Sequence, residues 1–241
     1  MVLNHILAVL LRFPPNPFLK LSGVNNWSDK GLTIWLFDIN YYSMNKRREY
    51  FDSFAEEWDK MFTAEDLEIL SFLIESFDIS ENDKIVDLGC GTGVLFDLLR
   101  RRVGPEGLVV GVDLSAEMVK KARKNFPFKN IMTIDADAEM LPLKSDLFDV
   151  AVSFAAFAHF TCQESVMEEA SRILKKGGKF YIIHLLSSKE LDTYHLNAGG
   201  PVADDHIPPL ERMKEIFNQG NFVDISITDH PGLYLAVGTK G

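Results

Sequence analysis

Three glycines spaced two apart, Gly89, Gly91 and Gly93, directly follow the apolar run Ile85-Val86-Asp87-Leu88. Glycine lets the backbone take positive φ and lets a ligand approach where a Cβ would stand. Val94, Leu95, Leu98 and Leu99 then recur at helical spacing, so the pattern predicts strand, loop and helix. The start of such a helix offers unpaired N–H groups to a polar ligand. That is the geometry of a nucleotide site. A dinucleotide fingerprint, G-x-G-x-x-G, needs glycine at position 94. Val94 stands there instead, so the spacing does not encode a pyrophosphate cradle.

A second chemical group follows about 20 residues on. Leu108-Val-Val-Gly-Val112 reads as a buried parallel strand, apolar on both faces, and Asp113 closes it. Ligands of a doubly wound sheet bind outside the carboxyl ends of its strands. A carboxylate there has two oxygens that can accept from two ribose hydroxyls. Ser115 is placed to cap the next helix, whose apolar face is Met118, Val119 and Ala122.

Asp87-x-Gly89-x-Gly91-x-Gly93 resembles motif I of the class I S-adenosylmethionine (SAM) methyltransferases, whose ligand has no pyrophosphate. Three further segments extend the resemblance, at family-like distances. Tyr50-Phe-Asp-Ser-Phe-Ala-Glu-Glu-Trp-Asp59 is similar to a segment that precedes the core in many small-molecule members. Asp137-Ala-Glu-Met-Leu-Pro142 is similar to the adenine-side motif, and Arg172 to Phe180 to the approach to the fifth strand. The resemblance covers roughly Lys46 to Lys240 and is most like the branch containing ubiquinone and menaquinone methylases.

The resemblance implies an α/β fold: a Rossmann-like, seven-stranded, mostly parallel sheet with a reversed C-terminal hairpin and helices on both faces. It implies SAM as cofactor. Asp87, Gly89, Cys90, Gly91 and Gly93 would supply the loop, Asp113, Leu114 and Met118 the ribose side. Asp137 would accept from the adenine amine and the Ala138 N–H would donate to a ring nitrogen, with Trp58 and Ser153 completing the contacts.

The positioning elements are readable in order. Phe51, Phe54, Ala55 and Trp58 fall on one face of a predicted helix. Thr63-Ala-Glu-Asp66 resembles a capping box, opening a helix to about Phe77 with Leu67, Leu70, Ile74 and Phe77 inward. Strands are expected at 131–134, 148–153 and 179–184. A helix from Gln163 to Leu174 is expected to close on Lys175-Lys-Gly-Gly178. A helix from Pro209 to Asn218 is expected to end with Gly220 as its C′ residue, and residues 223–228 and 234–238 alternate like a hairpin.

Residues 185–208 are an acceptor-side insertion in this reading. His184, His195 and His206 with Asp204 and Asp205 lie within a 23-residue stretch, and His159 belongs to the neighbouring strand end. Three readings stand. One histidine is a general base; or His159, His184 and His195 with Asp205 bind a divalent metal; or the histidines are polar loop residues. Gly199-Gly-Pro-Val202 reads as a loop that folds over the pocket. Phe154, Phe157, Phe160 and Tyr181 point to an apolar or aromatic acceptor, or are core. The enzyme would transfer methyl in line to a small molecule. A non-catalytic SAM-binding regulator is the alternative. Aminopropyl transfer is disfavoured because Ser153-Phe-Ala-Ala-Phe157 replaces an acidic pocket.

Composition bounds the rest. The chain has 241 residues, enough for one domain with a sizeable core (taken as 44–241), and a net charge of −10. Acidity disfavours nucleic acid, as does the absence of an Asn/Asp-Pro-Pro-Tyr/Phe segment after the fourth strand. The two cysteines, one inside the glycine loop, fit a reducing cytoplasm, and no apolar run reaches membrane-spanning length. Residues 1–43 read as a poorly ordered or non-native extension before a natural start at Met44, or as a lid or partner arm. Oligomeric state is left open.

Overall fold

In the computed structural model, which describes residues 45–241, apolar strands and amphipathic helices alternate. The expectations for residues 1–43 and for a start at Met44 lie outside the described residues. Helix α1 covers residues 45–54, followed by a 3-10 turn at Trp58–Met61. Then come α2 (Ala64–Ser76), β1 (Lys84–Leu88), α3 (Phe96–Val103), β2 (Leu108–Asp113), α4 (Ala116–Asn125) and β3 (Ile131–Asp135). After them stand β4 (Phe148–Phe154), α5 (Gln163–Ile173), β5 (Leu174–His184), α6 (Ser188–Ala198), α7 (Leu210–Gln219), β6 (Phe222–His230) and β7 (Leu233–Lys240).

The seven strands form one sheet in the order β3-β2-β1-β4-β5-β7-β6. Strands β1 to β5 pair in parallel, and β7 runs antiparallel to both β5 and β6. The order reverses between β1 and β4, so a crevice opens at their carboxyl ends. Residues 85–88 of β1 are buried throughout, as a central strand covered on both faces requires. One apolar layer contains Phe148, Phe157, Phe180 and Phe217, the other Leu70, Ile74, Phe96 and Leu99.

Several local expectations are corrected. The helix carrying Phe51 stops at residue 54, before Trp58. The carbonyls of Ala55 and Glu56 accept from Lys121 Nζ, both at 2.8 Å, instead of continuing a helical ladder. Phe54 is exposed as a result of this turn. The capping box of α2 forms, but Leu67 is 44% exposed because only the second half of the helix, Leu70, Leu73 and Ile74, meets the core.

Helix α5 ends at Ile173 rather than on the glycines. Leu174 already pairs with Phe148 of β4, and the following segment bulges out through Gly177 at φ +80°. Lys175 then bonds Asp149, not the helix end. At the end of α7 the left-handed residue is Asn221 (φ +62°), while Gly220 keeps φ −72°. Gly220 is needed for space: a Cβ there would lie 2.6 Å from Met167 Cγ. Within the stretch read as an acceptor-side insertion after β5, Ser187 and Glu190 form a reciprocal capping box that starts α6.

Candidate active site

The glycine loop is pinned by backbone bonds before any side chain acts. Gly89 and Cys90 N–H donate to the Val112 carbonyl at 2.8 and 3.0 Å, tying the loop to the end of β2. Asp113 takes the next step. Its Oδ2 accepts from Gly91 N–H and its Oδ1 from Ser115 N–H, both at 2.8 Å. One carboxylate therefore joins the loop to the start of α4, where Ser115 caps Met118. Burial pushes the Asp113 carboxyl up to about 6, opposed by these two N–H bonds, so it is ionised at neutral pH. Each oxygen keeps a second lone pair for a ligand hydroxyl.

Trp58 lies over the loop: a Cβ on Gly91 would meet its indole Nε1 at 3.1 Å. A cleft of about 350 Å³ runs along Gly89, Asp113, Leu114, Asp137 and Ala138. A narrower chamber continues it past Gly91, Trp58 and Met118. Asp137 Oδ1 accepts from Glu139 N–H at 2.9 Å, which fixes its carboxylate at the cleft wall.

The remaining expected cofactor residues sit deeper. Asp87 is 1% exposed, its Oδ1 has no partner, and it lines a small recess with Trp58 and Cys90. Burial, and secondarily Asp113, push its carboxyl up to about 8. The Cys90 thiol is pushed up by the same burial and packs inward. Gly93 faces Phe96 and Phe126, which a Cβ would meet at 2.7 and 3.0 Å, so packing rather than the cleft demands that glycine. Ser153 is sealed inside β4, and Ala155 and Ala156 beyond it line the chamber instead.

Helix α1 and the 3-10 turn after it strap this edge through polar contacts. Arg48 pairs with Asp135 at 3.2 Å, Asp52 accepts from Ser115 Oγ at 2.5 Å, and Asp59 bonds the Thr92 hydroxyl. Its most buried contact is Arg47, whose two terminal nitrogens donate to Asp205 at 2.5 and 2.6 Å.

Asp205 is also the hub of the histidines. Its Oδ2 lies 2.7 Å from His159 Nδ1, and its backbone carbonyl lies 2.7 Å from His195 Nδ1. The two imidazoles are 4.7 Å apart, and Phe51 packs on His159 at 5.2 Å. Burial pushes Asp205 up, but the bonds from His159 and Arg47 outweigh it and hold the carboxyl below its ordinary value. Burial lowers His159, against the pull of Asp205. His184 is 2% exposed and pushed down to about 3 by burial, so it is neutral.

His159, His184 and His195 line one pocket of about 260 Å³ beside Trp58, Phe62 and Phe154. His159 also borders the cofactor-side cleft, so the two spaces meet at this ring. His206 and Asp204 do not join: both are exposed, and the His206 ring bonds the Asp204 carbonyl. Phe157 is core, and Tyr181 stacks on Phe77 with its hydroxyl accepting from Asp78 N–H. Among the described residues, no three His, Cys, Asp or Glu side chains are grouped to hold a metal ion. Asp205, the expected carboxylate ligand, is committed to Arg47 and His159. Arg47 was not legible as a site residue; its only signal is a cationic run, Lys46-Arg47-Arg48, separated by Glu49 alone from the aromatic segment that starts at Tyr50.

Residues 79–219 match the methyltransferase-domain family. An uncharacterised protein of Methanocaldococcus jannaschii is 31% identical over 60% of this chain and 54% of its own length. The ubiquinone/menaquinone biosynthesis C-methyltransferase UbiE of Stutzerimonas stutzeri is 33% identical over 51% of this chain and 52% of its own. The chain thus spans about half the length of these curated relatives. Among solved structures, a chain from the complex of the Haloferax volcanii Trm112 methyltransferase activator with a methyltransferase superposes with a TM-score of 0.67, at 24% identity, covering 78% of this chain and 96% of that one. A SAM-dependent methyltransferase of Thermotoga maritima gives 0.63 at 20% identity, covering 79% and 98%. At such identities these likenesses speak for the fold alone.

Proposed function

The chain belongs to the methyltransferase-domain family, and from that premise we propose that it transfers the methyl group of SAM to a small-molecule acceptor, with His159 as general base. SAM supplies a methyl group activated on a sulfonium. The residues that fit it are the Asp113 carboxylate, with lone pairs left for hydroxyls, and the backbone of Gly89 and Gly91, which borders the cleft and its chamber. Asp137 and Ala138 offer an acceptor and a backbone donor at the far wall. Trp58 closes over Gly91, and Leu114 and Met118 supply the apolar side.

The observation that carries the catalytic reading is the Asp205–His159 pair at the junction of the two spaces. A half-buried, neutral imidazole with a carboxylate behind it accepts a proton from an acceptor group and has its positive charge stabilised by that carboxylate. Arg47 holds the carboxylate in place with two bonds. The pocket's size favours a small acceptor over a macromolecule.

The test is calorimetric titration of the full chain with SAM, followed by transfer of labelled methyl to a panel of small acceptors. SAM binding with turnover that collapses in His159→Gln supports the reading. SAM binding with no transfer to any acceptor supports a regulatory SAM-binding protein instead, and no SAM binding sinks both.

A further inference from the structure

Resting on that reading for what His159 does, we propose that Arg47 is a positioning residue through which the seating of α1 decides whether His159 is free to take a proton. With α1 docked, the Arg47 guanidinium satisfies Asp205 and the imidazole stays bare. With α1 released, His159 and Asp205 close into an ion pair, and the base is already occupied.

The argument starts from a count of charges. Asp205 carries one negative charge on a side chain that is 4% exposed. Arg47 answers it with a two-pronged bond, Nη2 to Oδ1 at 2.5 Å and Nη1 to Oδ2 at 2.6 Å. His159 Nδ1 lies 2.7 Å from the same Oδ2. The Arg47–Asp205 pair is neutral, so a proton added to His159 would set two cations on one buried carboxylate. An excess charge held away from water is costly. Without Arg47 the sum inverts: a neutral imidazole faces an unanswered carboxylate, and protonation makes a neutral pair.

The surrounding groups leave that count in place. His195, on α6, engages the Asp205 carbonyl through Nδ1, and His184, on β5, is neutral. Tyr50 of α1 and Tyr194 of α6 bring phenols, and burial raises Tyr50 further. Asp66, on α2, lines the same pocket but is tied into the Thr63 cap, and Glu139 bears on Arg47 from the cofactor-side cleft. Burial lowers His159 most, His195 and Arg47 add to the lowering, and Asp205 opposes it.

Helix α1 supplies both the cation and the cover. Phe51 packs on the His159 ring at 5.2 Å. Among the described residues α1 makes no backbone–backbone hydrogen bond to another element. Its polar holds are side-chain bonds: Arg47 on Asp205, Arg48 on Asp135 and Asp52 on Ser115. Such an element can leave without opening the sheet. When it leaves, the ring loses its cation and its cover together, and both losses favour the imidazolium. Arg47 and Phe51 also line the cofactor-side spaces, so the base is bare only while the strap over that side is closed. The balance is one proton. In the released state His159 holds a proton on each ring nitrogen; docking sends the Nε2 proton to solvent, its bonding pair staying on nitrogen.

The experiment is an NMR titration of the histidine imidazoles of the full chain, without SAM or acceptor, with His159 identified as the signal missing in His159→Gln. The wild-type midpoint should lie below the ordinary value of about 6.5. Arg47→Met, which removes the cation, should raise it by about one to three pH units, and Arg47→Lys, which restores a cation, should undo most of that rise. Hydrogen exchange on the wild-type chain needs no substitution in α1. Docking releases a proton, so α1 is held at high pH and loosens as pH falls through the released-state midpoint. Protection of α1 amides, measured against those of β1, should therefore fall across about pH 8 to 5, and the fall should disappear in His159→Gln. A midpoint unmoved or lowered in Arg47→Met, α1 protection that does not fall with pH, or an equal fall in His159→Gln would each overturn the proposal. SAM calorimetry and methyl transfer on the same sample separate the two levels: transfer without the proton linkage removes this proposal alone, whereas the linkage without SAM binding removes the function assigned to His159.

Discussion

The cofactor-side cleft and the acceptor pocket share His159 but are built on opposite plans. The cleft comes from short continuous segments. Residues 87–93 and 113–118 lie at the ends of two paired strands, and their bonds are mostly backbone bonds or bonds across that one pair. The acceptor pocket is convergent. Arg47 reaches Asp205 across 158 residues of sequence, and His159 reaches it across 46. A site made of neighbouring backbone tolerates change in side chains that merely pack around it. A site hung on one carboxylate fails when that carboxylate is lost. Under the proposed function, donor binding and acceptor chemistry should therefore break separately.

The largest separation is expected from Asp113→Ala. Losing two charge-assisted hydrogen bonds to a ligand costs affinity by about a hundredfold or more, read by SAM calorimetry, while circular dichroism stays that of the wild type. Unchanged affinity would dissolve the contrast by removing the anchor of the cofactor half. Of comparable size on the acceptor side is His159→Gln, where loss of a general base lowers kcat by about 10²–10⁴ and the SAM Kd stays within about twofold of the wild-type value. A joint loss of SAM affinity would show that the halves are one unit.

Asp205→Asn sharpens the contrast within the acceptor half. One charge-assisted partner is worth about 1.5–3 kcal/mol, so kcat falls about tenfold to a hundredfold. Its pH profile carries the sign. Burial lowers His159 while Asp205 raises it, so the acid limb of kcat/KM lies below the ordinary histidine value of about 6.5 and moves lower still in the variant. An acid limb that moved upward would mean that Asp205 does not bear on the base.

The remaining effect is on stability rather than activity, and it belongs to the cofactor half. The Asp87 carboxyl is raised to about 8 in the folded chain, against about 3.9 unfolded. Its protonated form is favoured by folding, so this contribution is fully present below pH 3.9 or so and is lost as pH rises through about 8. Asp87→Asn, neutral at every pH, should flatten the decline of Tm between those limits in the ligand-free chain. A decline of unchanged slope would place the proton elsewhere.

Much of the fold was legible because its signals are local. Alternation of apolar strands with amphipathic stretches, the caps at Thr63 and Ser115, and the C-terminal hairpin each depend on a few neighbouring residues. Local signals failed where a distant group intervened. Lys121 took the carbonyls that would have extended α1, Phe148 drew Leu174 into β5 a turn early, and Met167 rather than a left-handed turn required Gly220.

By itself the amino-acid sequence determined the strand–glycine–helix unit, the acidic residue that follows it and hence the side of the sheet where a cofactor belongs, because backbone geometry over ten residues is set by those residues. Only the tertiary structure decided which histidines matter. His184 and His206 look alike on paper, yet one is buried at the pocket and the other exposed. The bonds of His159 and His195 were likewise invisible, since both reach Asp205, which Arg47 also holds, and these residues come from three distant stretches of chain. Hydrogen-bond roles depend on what a side chain touches, and that is a property of the packed fold.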